Sequence, residues 1–188
     1  FATLWRAGVQ AKMSTRSGEF VTLAELRDEI GNDAARFFYV LRKHDQPLDF
    51  DLDLAKAQNN ENPVYYIQMA HARICRVERE FAQQGQALAN LNQADLSLLN
   101  SPSELQLLRR LNEYHDALQT AARDYAPHLM AFYLKDLAAD LHSYYNAERF
   151  LLPEQPALSQ ARIALISAVR QVLANGLCLL GVRAPESM

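Results

Sequence analysis

Asn62-Pro63-Val64-Tyr65-Tyr66-Ile67-Gln68-Met69-Ala70-His71-Ala72-Arg73-Ile74-Cys75-Arg76-Val77-Glu78-Arg79-Glu80-Phe81 is the stretch that decides the fold. Asn62 is a good N-cap, and Pro63 takes the first helical position, where its missing N–H has no partner to lose. Ile67, Ala70, Ile74, Val77 and Phe81 then recur at spacings of 3, 4, 3 and 4 until Gly85 stops the helix. The same grammar continues downstream. Ser101-Pro102-Ser103-Glu104 combines N-cap, proline and capping-box glutamate, and Leu108, Leu111, His115, Leu118 and Ala122 carry one helix onward from it. Pro127 opens another, with Met130, Leu134, Leu137, Leu141 and Tyr144 inward. After a loop with Pro153 and Pro156, a last long helix over about 158–175 places Ile163, Ile166, Val169 and Leu173 inward and is interrupted at Gly176. Residues 85–100, rich in Gln and Asn, read as a loop with one turn of helix. Four amphipathic helices predict an all-α antiparallel bundle from about residue 59.

Upstream the pattern changes. Phe1, Thr3 and Trp5 alternate with Ala2, Leu4 and Arg6, the period of a strand, before a turn at Ala7-Gly8. A half-hairpin alone is marginal in water, so the chain reads as the C-terminal piece of something longer. Thr22 and Glu25 have capping-box spacing ahead of Leu23, Leu26 and Ile30, with Gly31 as the stop. Asn32 or Asp33 can cap the next helix, which carries Phe37, Phe38 and Leu41. His44 to Phe50 reads as a loop around Pro47, and Asp51 to Asn60 as a short helix with Leu52, Leu54 and Ala55 inward.

Composition narrows the function. Of 188 residues, 49% are hydrophobic and 22% charged, which argues against intrinsic disorder. Six Gly and seven Pro are few for a β-sandwich or barrel, whereas Ala and Leu make up roughly 30%. No apolar run reaches the length of a membrane span, which predicts a soluble chain. Two cysteines, Cys75 and Cys178, make no disulfide framework and suit a reducing compartment such as the cytoplasm. The net charge of −3 argues against holding nucleic acid by bulk positive potential. The cations are nevertheless 15 Arg against 4 Lys, and arginine is the better residue for bidentate phosphate contact and for stacking on bases.

Most familiar chemistries find no support. None of the five His has Glu three residues before it, so a diiron bundle has no ligand set, and no metal site is expected. His71 and Cys75 lie one turn apart, but a small Cys in an apolar stripe is ordinarily inert packing. No glycine-rich nucleotide fingerprint occurs. The segment Lys12-Met13-Ser14-Thr15-Arg16-Ser17-Gly18 is different, because a hydroxyl-rich loop with two cations can fold over a triphosphate and offset charge developing on it.

Lys12-Met13-Ser14-Thr15-Arg16 resembles the Lys-Met-Ser-Lys-Ser signature loop of class I aminoacyl-tRNA synthetases. An ordered series of segments is similar to the arginyl branch of that family: residues 17–23, 31–38, 48–55, 62–68, 70–74, 144–146, 161–165, 172–177 and 180–188. The match covers nearly the whole chain and is weakest over 82–104. It implies that residues 1–58 are the end of a class I catalytic domain with the signature loop and helices that contact the tRNA stem. Residues 59–188 would be the helical anticodon-binding domain of the DALR type. It further implies an ATP-dependent arginine–tRNA ligase as the full-length protein, with Mg2+, arginine and tRNA-Arg as its partners and neither membrane nor DNA. This segment would lack most of the active site and bind no cofactor alone. The family's second signature lysine is Thr15 in this chain, with Arg16 beside it.

On that resemblance Lys12 and Arg16 are the candidate catalytic cations at the triphosphate, with Ser14 ordering the loop. For tRNA the candidates are Asn62, Tyr65, Arg73, Tyr145 and Met188. Tyr144 follows the apolar stripe and reads as core, which leaves the ring of its neighbour Tyr145 to meet an unpaired base. Arg76, Arg162, Arg170 and Arg183 read equally as phosphate contacts or as solvated surface. A helical protein–protein interaction module without an RNA role is the alternative, and the acidic balance favours it. The two differ in whether the arginines gather on one side.

Overall fold

The computed structural model describes residues 2–11, 21–85 and 93–188. The signature-like loop, with Lys12, Ser14 and Arg16, lies outside the described residues.

The first strand does not stand alone. β1 (Ala2–Arg6) turns back through Ala7 and Gly8, both at positive φ, into β2 (Val9–Gln10). Its other edge pairs in parallel with β3 (Leu48–Asp51), from Ala2 opposite Leu48 to Trp5 opposite Asp51. The expectation of a loop through Phe50 is corrected here. Leu48-Asp49-Phe50-Asp51 alternates in and out, with Phe50 fully buried, and Asp51 then caps α3 (Leu52–Lys56) through two backbone N–H groups. Pro47 had masked a strand that begins one residue later.

Between β2 and β3 lie α1 (Leu23–Ile30), with the expected Thr22–Glu25 capping box, and α2 (Asn32–Val40). Leu26 of α1 is buried, but Leu23 is exposed. Neither Asn32 nor Asp33 caps α2: Gly31, at φ 82°, is its N-cap, and the Asp33 carboxylate reaches instead to Gln68 and Arg183.

The bundle follows: α4 (Pro63–Gln83), α5 (Pro102–Asn112), α6 (Tyr114–Arg123), α7 (Pro127–Ala147) and α8 (Pro156–Leu179). A 3-10 turn, Leu96–Leu98, precedes α5. α7 packs against all four other helices and against α2, and every residue expected on its inward stripe is buried.

Two helices depart from expectation. The helix opened by Ser101 is divided at Glu113, because the Tyr133 hydroxyl donates to the Arg110 carbonyl at 2.8 Å and intrudes on the i→i−4 ladder. Its buried apolar anchor is Leu107 rather than Leu108. α8 begins two residues earlier than expected and passes through Gly176 without a break. That glycine permits close packing, since a Cβ there would overlap the buried Leu134 side chain. By length and mean hydropathy α8 is long and apolar enough to cross a membrane, contrary to the reading from apolar runs. Its Ile163, Leu165, Ile166, Val169, Leu173 and Leu177 are nonetheless buried in the bundle.

A buried charge network crosses the bundle between α5, α7 and α8. Glu104, only 1% exposed, accepts from Arg162 Nε at 2.8 Å and from the Tyr144 hydroxyl at 3.1 Å, while its other oxygen closes the capping box on Ser101 N–H. Arg162 also donates to the Arg149 carbonyl and pairs with Glu148 at 2.9 Å. Burial pushes the Glu104 carboxyl up, but the Ser101 N–H, the Arg162 charge and the Tyr144 hydroxyl together hold it below its ordinary value. Burial and the adjacent Glu104 push the Tyr144 phenol up.

Candidate nucleic-acid interface

The candidate interface is built on α4, whose N-terminus is set by Asn62. The Asn62 side chain accepts from Val64 N–H and Tyr65 N–H and donates to the Ala55 and Ala57 carbonyls at 3.1 and 2.8 Å. It is buried, with both amide hydrogens committed to the fold, so it locks the α3–α4 corner and has no donor left for RNA.

At 3.6 residues per turn, Ile67, Ala70, Ile74, Val77 and Phe81 face the core, as expected. Two further stripes are covered from either side. One meets α7: the Tyr66 ring lies 4.4 Å from the His142 ring, and Arg73 reaches both His142 and Tyr145. The opposite one holds the chain end. Gln68 Nε2 donates to the Arg183 carbonyl at 2.9 Å, His71 Nδ1 to the Pro185 carbonyl at 2.9 Å, and Arg79 to the Glu186 carbonyl at 3.4 Å. The C-terminal segment is therefore strapped along α4, and it leaves Met188 54% exposed. Between these two walls the helical period places Tyr65, Met69, Ala72 and Arg76. Tyr65 and Met69 are partly exposed and Arg76 is exposed.

Of the sequence-derived tRNA candidates, the structure brings Arg73 and Tyr145 into contact, sets Tyr65 on the same strip and puts Met188 at the end of the opposite wall. Tyr144 is fully buried, as expected. Tyr145 is half-buried and its ring is not bare. The Arg73 guanidinium carbon lies 5.2 Å from the ring centroid, and the Phe150 ring lies 5.6 Å away, tilted by 44°. The pair therefore offers an arginine plane backed by a tyrosine, and guanidinium planes stack on bases as aromatic rings do.

The other arginines separate by partner. Arg162 is buried against Glu104, which removes it from any RNA surface, and Arg170, partly exposed, is neutralised by the buried Glu78. Arg183 is 83% exposed yet pairs with Asp33. Arg73, Arg76 and Arg79 follow one another around the open side of α4, with Arg76 ion-paired to Glu80. Sequence reading missed His142 as the α7 residue that ties Tyr66 and Arg73 of α4. Its signal was weak, since a lone His beside a buried stripe announces nothing. Cys75 is buried, and burial pushes its thiol up, away from nucleophilic reactivity. Among the described residues, no three His, Cys, Asp or Glu side chains gather to hold a metal ion.

Comparison with known proteins places this geometry. Arginine–tRNA ligases from Aromatoleum aromaticum and Dechloromonas aromatica are 63% and 61% identical to the chain over all 188 residues. The chain spans about a third of their length, 31% in each case. A Campylobacter jejuni protein assigned provisionally as an arginyl-tRNA synthetase superimposes with a TM-score of 0.88 at 31% identity, over 100% of this chain and 40% of that one. Thermus thermophilus arginyl-tRNA synthetase gives a TM-score of 0.70 at 31% identity, over 93% and 29%. Residues 67–188, from the middle of the first turns of α4 to the strapped C-terminus, match the model of the DALR anticodon binding domain, and the chain belongs to that family.

Proposed function

We propose that this chain is the tRNA-binding C-terminal region of an arginine–tRNA ligase, working in the cytoplasm on tRNA-Arg. The observation that carries the reading is relatives of that name covering all 188 residues at about 60% identity. The face of α4 between α7 and the C-terminal strap receives the anticodon loop. Arg73 and Tyr145 give a base a stacking plane, Tyr65 and Met188 flank it, and Arg76 and Arg79 meet phosphates. Asn62 contributes by fixing the start of α4. Residues 1–58 are then the end of the catalytic domain and 59–188 the anticodon-binding domain. The two are tied through α2, where Asp33 pairs with Arg183 and Arg36 Nε donates to the Leu180 carbonyl at 3.2 Å.

In the full-length ligase, ATP with Mg2+ activates arginine as its adenylate before transfer to the tRNA. There Lys12 and Arg16 meet the triphosphate, with Ser14 ordering the loop between them. Such cations act by stabilising charge that develops in the transition state. A titration of the chain with the anticodon stem-loop of tRNA-Arg and with a non-cognate stem-loop tests the reading. Tighter binding of the cognate loop supports it, and equal or absent binding refutes it. The alternative, a helical module that binds protein, is disfavoured by the arginines that follow one side of α4.

A further inference from the structure

His142 sits where α7 crosses α4, and its two ring nitrogens have different partners. Nε2 lies 3.1 Å from the Tyr66 backbone carbonyl, which can only accept, so Nε2 carries the proton. Nδ1 lies 2.9 Å from Arg73 NH1, which can only donate, so Nδ1 presents its lone pair. One neutral tautomer satisfies both contacts and no other form does. His71 is the opposite case: its Nδ1 faces the Pro185 carbonyl and must be the donor.

Half of the described arginines pair with a carboxylate and half do not; what sets Arg73 apart among the described residues is that an imidazole holds it. Arg6, Arg110, Arg162, Arg170 and Arg183 are each held by a carboxylate. Among the described residues Arg73 has no carboxylate partner; it is held by the neutral imidazole and by the Tyr145 ring. A carboxylate in place of His142 would fix the guanidinium equally well, but it would cancel the charge and repel phosphate.

We propose that His142 is a positioning residue for RNA: its neutral Nε2–H tautomer orients Arg73 over Tyr145 without neutralising it. The proposal rests on the RNA-binding reading of this face. Burial, reinforced by the Arg73 charge and opposed by the Tyr66 carbonyl, pulls the imidazole below its ordinary value and so favours the neutral ring that the two contacts require.

The test uses the whole chain and four variants: His142→Gln, His142→Asn, Arg73→Gln and the Arg73→Gln/His142→Gln double variant. Asn at position 142 retains an acceptor where Nδ1 stood, whereas Gln reaches the Tyr66 carbonyl and withdraws that acceptor. His142→Gln should weaken binding of the tRNA-Arg anticodon stem-loop about fivefold, and His142→Asn should bind within about twofold of the parent. In an Arg73→Gln background, His142→Gln should add nothing further. A merely structural histidine would not divide the Gln and Asn variants in this way at equal melting temperature. Side-chain 15N NMR of the free chain gives an RNA-independent readout: a protonated Nε2, an unprotonated Nδ1, and an Arg73 Nε–H resonance that shifts in His142→Gln. An Nδ1-protonated ring, or an Arg73 resonance indifferent to His142→Gln, overturns the proposal whatever the RNA does. Equal affinity of the parent and His142→Gln overturns it while the RNA reading stands. A parent chain that binds no stem-loop refutes the RNA reading on which it rests.

Discussion

Glu104→Gln isolates what the buried charge network contributes. The substitution keeps shape and one acceptor but removes the charge that faces Arg162 Nε at 2.8 Å, deep in the bundle. Breaking a buried ion pair from one side costs about 3–5 kcal/mol, because the surviving charge is left uncompensated. Arg162 retains Glu148 and the Arg149 carbonyl, so the low end, about 3 kcal/mol, applies. For a chain of this size that is a fall in Tm of roughly 6–12 °C. Circular dichroism melts of the parent, Glu104→Gln, Arg162→Met and the double variant measure it. The double variant should recover part of either single loss, since its charges go together. The pH dependence is a second readout. The folded carboxyl titrates below its unfolded value of 4.5, so its contribution is complete above that pH and is lost as pH falls through the folded value. Glu104→Gln should therefore show a flatter acid limb. A melting point within about 2 °C of the parent, with an unchanged acid limb, would show that the pair sets no part of the stability.

Gly181→Ala should cost about 1–3 kcal/mol in chemical denaturation, because φ is +67° there and a Cβ would overlap the Arg36 guanidinium that holds the strap. In a full-length ligase, Lys12→Ala or Arg16→Ala should slow adenylate formation about a hundredfold, roughly 3 kcal/mol at the barrier, with little change in tRNA binding; single-turnover rates measure this. Removal of Met188 should weaken stem-loop binding by about twofold or threefold while the melt is unchanged, because Met188 lies beyond the strap's last hydrogen bond to α4, from Arg79 to the Glu186 carbonyl.

The helices were legible because capping and period are local. Thr22 with Glu25, Asn62 with Pro63, and Ser101 with Glu104 announce their helices within four residues, and each of these caps forms. What the sequence left open depends on partners distant along the chain. β3 is four residues long, and its partner lies more than forty residues away. The break at Glu113 comes from Tyr133, a hydroxyl on another helix, and Gly176 is explained only by Leu134 opposite it. The site shows the same division. Arg73, Tyr145 and Met188 were visible as residue types in a resembling pattern. The pairing of Arg73 with Tyr145, the neutral acceptor behind it and the strap that carries Met188 are products of tertiary packing. Arg162 and Arg170 were indistinguishable from Arg73 until their buried carboxylates came into view.

The account turns on the open face of α4, and the most direct test is the affinity of Tyr145→Ala for the tRNA-Arg anticodon stem-loop beside that of the parent. Aromatic stacking and the guanidinium held above the ring are worth on the order of 1–3 kcal/mol. Binding should fall by about fivefold or more for the cognate loop, at a helical signal and melting temperature close to the parent's. Equal affinity of the two proteins for the cognate loop would contradict the assignment of this face to RNA.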